Sequence, residues 1–281
     1  MRKFTLLITL SLLCLCACST GEQTDSDRLT VAVSIPPQAE FVREVCGENA
    51  EVITVIPAGY SPETYEPTPK DIVKLSKADI YFTIGVQAEK SNIIPESGDL
   101  KKISLDERVA EKYSELTIDG ERDPHIWLSP KRASEMVSII ASELSEIDPD
   151  GKEEYMANAE AYIKEINEVD EYARKVIEES GCNKFIVFHP AFAYFADEYG
   201  LEMYALEEHG KEATAANLAK MADFAKEENI KAVFYQKEID SAQAQAFAEE
   251  IGGVTVELSP LAENYSENIK LMADTISKGS N

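Results

Sequence analysis

Histidine is scarce in this chain, with three residues among 281, and so are cations: 27 Lys and Arg stand against 52 Asp and Glu. The resulting formal charge of −25 repels nucleic acid phosphates and anionic lipid surfaces, and it attracts cations. Past residue 18 two cysteines remain, Cys46 and Cys182, without the CxxC spacing of a redox or thiolate metal site. Both are expected as small buried residues. Beyond the N-terminus no run approaches 18 continuous apolar residues, so no later segment should cross a membrane. HExxH, G-x-S-x-G and a glycine-rich phosphate loop are all missing, so the chain is not expected to be an enzyme.

What is present starts with the leader. Arg2 and Lys3 precede an apolar run over 6–17, and Cys18 is followed by a polar stretch. A short basic segment plus a brief apolar core is a secretory signal, too short to span a bilayer. Leu15-Cys16-Ala17-Cys18 resembles the lipobox of prokaryotic lipoproteins. That resemblance implies cleavage before Cys18, diacylation of its thiol, and a place on the extracytoplasmic face of the cell membrane. The plainer alternative is a secreted soluble protein cut near the same position. Residues 1–17 are thus a signal peptide and 18–28 a polar tether.

A chain of 281 residues exceeds what one core comfortably serves, so two lobes are expected. From residue 29 onward β-rich runs alternate with amphipathic stretches. Strands are predicted over 29–34, 51–56 and 80–85, with helices over 38–46, 70–78 and 130–147. After 182 the rhythm resumes, with strands over 184–188, 203–206, 232–235 and 254–258 and helices over 190–199, 213–228, 241–251 and 264–276. Strands alternating with helices make an α/β fold whose sheets are mostly parallel and covered on both faces. The segment 148–181 breaks the pattern. Asp148-Pro149 opens it, Gly181 closes it, and apolar positions between them recur at helical period. About 30 residues at 1.5 Å each give a rod of roughly 45–50 Å. The chain therefore divides into an N-terminal lobe over 29–147, a rigid linking helix over 148–181 and a C-terminal lobe over 182–281.

The three histidines, His125, His189 and His209, each fall near the C-terminal end of a strand or in the turn after one. That is the edge where open α/β sheets bind ligands. Taken singly, either His125 or His189 is more often a structural or surface histidine than a ligand. A Pro- and Gly-rich loop over 57–69 follows a strand and precedes a helix; it suits a preorganised ligand loop or an ordinary rigid turn.

These stretches resemble the cluster A-I metal-binding proteins, the zinc and manganese solute-binding components of ABC importers. Residues 57–69 match the pattern P-x-G-x-x-P-H-x-Y-E-P-x-P, and 123–130 match D-P-H-x-W-x-x-P. Residues 188–196 match F-H-P-A-x-x-Y-F-A of a zinc-type branch, and 206–214 match I-E-x-x-G-K-E-P-S with Ala213 in place of Pro. The resemblance implies two α/β lobes joined by a long helix, with a metal site between them and a membrane permease as partner. It implies Zn2+ as transported ligand, with Mn2+ or iron in the same role as the alternative, or a lipid-anchored adhesin on the same fold. A monomer is expected. Carried over by position, the implied ligands are Glu63, His125, His189 and Glu207. Glu63 stands where most members have His, and Glu208 and His209 compete with Glu207 for the fourth place. Many members place an Asp before a Pro-Leu pair near the C-terminus; Ser259 occupies that position here.

Overall fold

The computed structural model describes residues 28–90, 100–118, 120–207, 213–239 and 242–279. The leader, Cys18, Glu208 and His209 lie outside the described residues. The N-terminal lobe contains β1 (Leu29–Val33), α1 (Pro36–Cys46), β2 (Ala50–Thr54), α2 (Pro69–Leu75), β3 (Ile80–Thr83), β4 (Lys101–Ser104) and α3 (Leu105–Ala110). A two-residue hairpin of β5 (Thr117–Ile118) and β6 (Glu121–Arg122) follows, then α4 (Pro130–Ile147) and the long α5 (Lys152–Ser180). The C-terminal lobe holds β7 (Lys184–Val187), α6 (Ala193–Tyr199), β8 (Glu202–Ala205) and α7 (Ala215–Glu227). It ends with β9 (Ala232–Tyr235), α8 (Ala242–Glu250), β10 (Val254–Glu257) and α9 (Tyr265–Gly279). The fold is thus α/β, two parallel-sheet lobes flanked by helices with one long helix between them.

Both sheets are parallel and share one strand order. The first is β2-β1-β3-β4 and the second, from its other edge, β8-β7-β9-β10. In each the first strand lies between the second and third, so chain direction along the sheet reverses beside it. β7 shows why such a strand is apolar throughout. Phe185 and Val187 join the core that runs through the spine helices, while Ile186 and the following Phe188 join the cluster under α7 and α8. Successive side chains point to opposite faces, and both faces are covered.

α5 has 29 residues and buries Tyr155, Ala159, Tyr162, Ile166, Val169, Ala173 and Ile177, spaced three or four apart. That stripe packs on α1, α4 and α9, helices of both lobes. Each large side chain so buried contributes about 1.5–3 kcal/mol of transfer free energy. Ile163 and Val176 lie at the margins of the stripe and are half-buried. The helix starts at Lys152 rather than at Asp148-Pro149. Asp148 instead terminates α4 and accepts hydrogen bonds from the Gly151 amide (3.4 Å) and the Tyr155 hydroxyl (2.6 Å). Gly181 ends α5 at φ 72°, a left-handed conformation that glycine adopts without a Cβ clash.

Several bonds tie the lobes directly. Glu40 of α1 accepts from the Tyr162 hydroxyl (2.6 Å) and the Tyr265 amide (2.6 Å). Tyr194 donates nothing to Leu116 but accepts from its amide at 2.9 Å, and its ring carries the Arg132 guanidinium 4.6 Å from its centre. Cys46 is buried as expected, but Cys182 is only half-buried because it follows the exposed C-terminus of α5; no disulfide joins them.

Candidate metal site

Glu63 comes from the loop between β2 and α2, which is folded back on itself. The Thr64 and Tyr65 amides donate to the Ser61 carbonyl at 3.2 and 2.9 Å, and the Ala88 amide donates to the Pro62 carbonyl at 3.0 Å. Tyr65 donates its hydroxyl to Asp71 at 2.8 Å, and the same Asp71 forms a reciprocal cap with Thr68 at the start of α2. Prolines at both ends lower the entropy of holding this shape.

His125 lies at the turn into α4. Its amide and its Nδ1 both meet Oδ1 of Asp123, at 3.0 and 2.7 Å. His189 comes one residue after Phe188, whose amide extends the sheet by donating to the Phe234 carbonyl at 2.7 Å. Nδ1 of His189 lies 2.6 Å from Oε2 of Glu207, which itself follows β8. A carboxylate therefore engages Nδ1 of each ring, which fixes the ring's orientation and leaves Nε2 for another partner.

The free nitrogens meet at Glu63. Its Oε1 is 2.5 Å from Nε2 of His189 and 3.9 Å from Nε2 of His125, and the two rings are 5.7 Å apart in an edge-on arrangement. One donor atom from each of the three residues lies within 4.8 Å of the other two. Tetrahedral zinc, with bonds of about 2.0–2.2 Å, holds its donors roughly 3.4 Å apart. The two observed separations bracket that value. The contact at His189 is close but misaligned, since Nε2 is buried and makes no hydrogen bond. A buried nitrogen in that state calls for another partner, and a cation that displaces its proton would supply it.

Electrostatics within the cluster are strong. Burial works against a charged ring at His189, but the hydrogen bond to Glu207, the close contact with Glu63 and the negative charge of both outweigh it, and its pKa rises to about 9. Burial likewise opposes ionisation of Glu63, and the close contact with His189 and the charge of both imidazoles overcome it, so its pKa is lowered. The carboxylate is held ionised and ready to ligate.

Of the residues singled out in the sequence, Glu63, His125 and His189 are brought together. Glu207 is not in that cluster; it sits behind His189, on the nitrogen facing away from Glu63. The backbone carbonyl of Ser259 accepts from the Asn268 side chain at 2.7 Å. Asp123, which holds the His125 ring, is the residue of this cluster's surroundings that sequence reasoning passed over. Its signal was an acid two residues before a histidine, close enough to bond both that residue's amide and its ring.

Donors converging on one point from two lobes are the geometry of a metal-capturing binding protein. Its relatives narrow the class. The family model for zinc-uptake complex component A, the periplasmic ZnuA, matches residues 31–279, and the chain belongs to that family. The high-affinity zinc uptake system protein ZnuA of Bacillus subtilis strain 168 is 32% identical over 86% of this chain and 82% of its own length. The zinc-binding lipoprotein AdcA of Streptococcus pneumoniae strain R6 is 31% identical over 99% of this chain, which spans 59% of AdcA. A crystal structure of ZnuA superposes with a TM-score of 0.86 at 34% identity, covering 91% of this chain and 100% of that one.

Proposed function

We propose that this chain is the extracytoplasmic binding component of an ABC zinc importer, which takes Zn2+ as cargo between its lobes and hands it to a membrane permease. The convergence of Glu63, His125 and His189, with each ring backed by a carboxylate, is the observation that carries this reading. Neutral imidazole and carboxylate are borderline-to-hard donors that accept both zinc and manganese. Two imidazoles in a tight cluster favour zinc, because manganese gains more from a larger, oxygen-rich shell and binds such sites more weakly. The net charge of −25 raises the local cation concentration around the cleft. Membership of a family described as zinc-uptake components supports the transport role.

Among the described residues no helix is long and apolar enough to cross a membrane. Attachment to the bilayer rests on Cys18 and its diacyl group, a reading supported by the lipobox pattern and by the lipoprotein AdcA among the relatives. Cys18→Ser should move the protein from the membrane fraction into the soluble one; an unchanged distribution would rule the anchor out. The test of function is to strip the mature chain, offer Zn2+ and Mn2+ together in equal excess, and measure bound metal by elemental analysis. About one zinc per chain with little manganese is expected. Preferential manganese loading, or no stable binding of either, would overturn the zinc reading.

A further inference from the structure

Glu238 is no member of the three-donor cluster, yet it faces the same space. A cavity of ≈ 10 Å³, about one water-sized sphere, lies between the lobes. Glu63, His125 and Trp127 bound it on one side, and Gln236, Glu238 and Pro260 on the other. The Trp127 indole N–H donates to the Pro260 carbonyl at 2.8 Å and closes that wall. Glu238 follows β9 just as His189 follows β7, and these two strands are neighbours at the point where the sheet order reverses. The crevice beyond the carboxyl ends of such a pair is where open α/β sheets place ligands.

Two further observations point into the cavity. Oε2 of Glu238 is buried and has no hydrogen-bond partner. A buried polar atom in that state is rare in native proteins unless something else satisfies it. The donor count is also incomplete: Glu63, His125 and His189 make three, and a second carboxylate completes the four-donor shell of a closed zinc site.

Resting on the zinc reading above, we infer that Glu238 is the fourth protein donor to the bound ion. The shell then draws Glu63 and His125 from the N-terminal lobe, and His189 and Glu238 from the C-terminal lobe. Glu207 stays on Nδ1 of His189 as a positioning residue. Because Glu238 lies outside the cluster defined by the other three, loading draws its side chain inward across the cavity.

Anomalous diffraction from zinc-loaded crystals of the mature chain tests this directly, together with zinc competition against a chelating dye for Glu238→Gln and Glu238→Ala. A carboxylate oxygen of Glu238 is expected about 2.0–2.2 Å from the ion. Both variants should lose about 10–100-fold in affinity, while Glu249→Gln, an exposed acid on α8, should bind as the parent does. The thermal midpoint of the metal-free variants should not fall, because an unpartnered carboxylate oxygen is removed. An ion held by Glu63, His125 and His189 with water or Glu207 in the fourth place would overturn the inference and leave the zinc reading standing. So would affinities of both variants equal to the parent's. No zinc at the cluster at all would overturn both.

Discussion

The two lobes repeat one strand order and treat the crevice it creates in opposite ways. In the N-terminal lobe, the crevice between β1 and β3 is filled by polar groups that satisfy one another. Glu89 accepts from the Ile84 and Gly85 amides at 2.9 and 2.8 Å and from the Ser34 hydroxyl, which also bonds the Tyr81 hydroxyl at 2.8 Å. Gln38 takes the Ser34 and Ile35 amides at 3.0 and 3.1 Å and donates to the Phe82 carbonyl at 3.2 Å. In the C-terminal lobe, the crevice between β7 and β9 carries His189 and Glu238, each with a buried atom lacking a hydrogen bond. A closed polar network rigidifies a lobe, whereas unmet donors at the same topological position make a binding site. The fold offers the crevice twice, and side-chain satisfaction decides which one is used.

The largest effect should come from emptying the open crevice. His125→Ala with His189→Ala removes a donor from each lobe, and zinc affinity should fall by more than about 1,000-fold, equivalent to about 4 kcal/mol. Competition against a chelator of known strength measures this, and retained tight binding would dissolve the contrast between the lobes. The closed crevice should instead report through stability. Burial of Glu89, opposed by its three hydrogen bonds, raises its pKa from 4.5 to about 7. The folded protein then keeps a proton that the unfolded chain has released between about pH 4.5 and 7, so this group's contribution to stability falls as pH rises through that window and is flat above it. Glu89→Gln should remove that part of the slope, a change on the order of 2–3 kcal/mol between pH 4.5 and 8. Urea midpoints across this range would show it, and parallel curves for both proteins would refute the assignment. The smallest effect should come from behind the open site. Glu207→Gln leaves Glu63, His125 and His189 in place but weakens the anchor on His189, and zinc affinity should drop about 10–100-fold. Diffraction from the zinc-loaded variant should still show the ion on His189; its loss from that ring would make Glu207 more than an orienting group.

Much of the architecture is readable from residues alone. β1, β3, β7 and β9 are short, apolar and β-branched or aromatic, and the stripe from Tyr155 to Ile177 has an unbroken helical period. β4, α3 and the hairpin of β5 and β6 escape such reading, because three of the four residues of Lys101-Lys102-Ile103-Ser104 are polar and two-residue strands carry no period. Within the site, His125 and His189 stand out through scarcity and position. Glu207 and Asp123 do not reveal their roles, since a carboxylate two residues before a histidine can reach either ring nitrogen or neither, and Glu207 meets a ring 18 residues away. Glu238 carries no local signal at all, and its relation to Glu63 exists only across the cleft.

What the chain alone determined was the order of strands and helices, the rod between lobes, the acidic charge and the placing of two histidines at strand ends. Those follow from periodicity, composition and local turn chemistry, all of which act over a few residues. What only the folded molecule decided was the division of labour among the carboxylates. Whether an acid ligates, orients a ring or is sealed into a network depends on ångström-scale distances between atoms far apart in the chain, and close packing of two lobes on a common helix sets those distances.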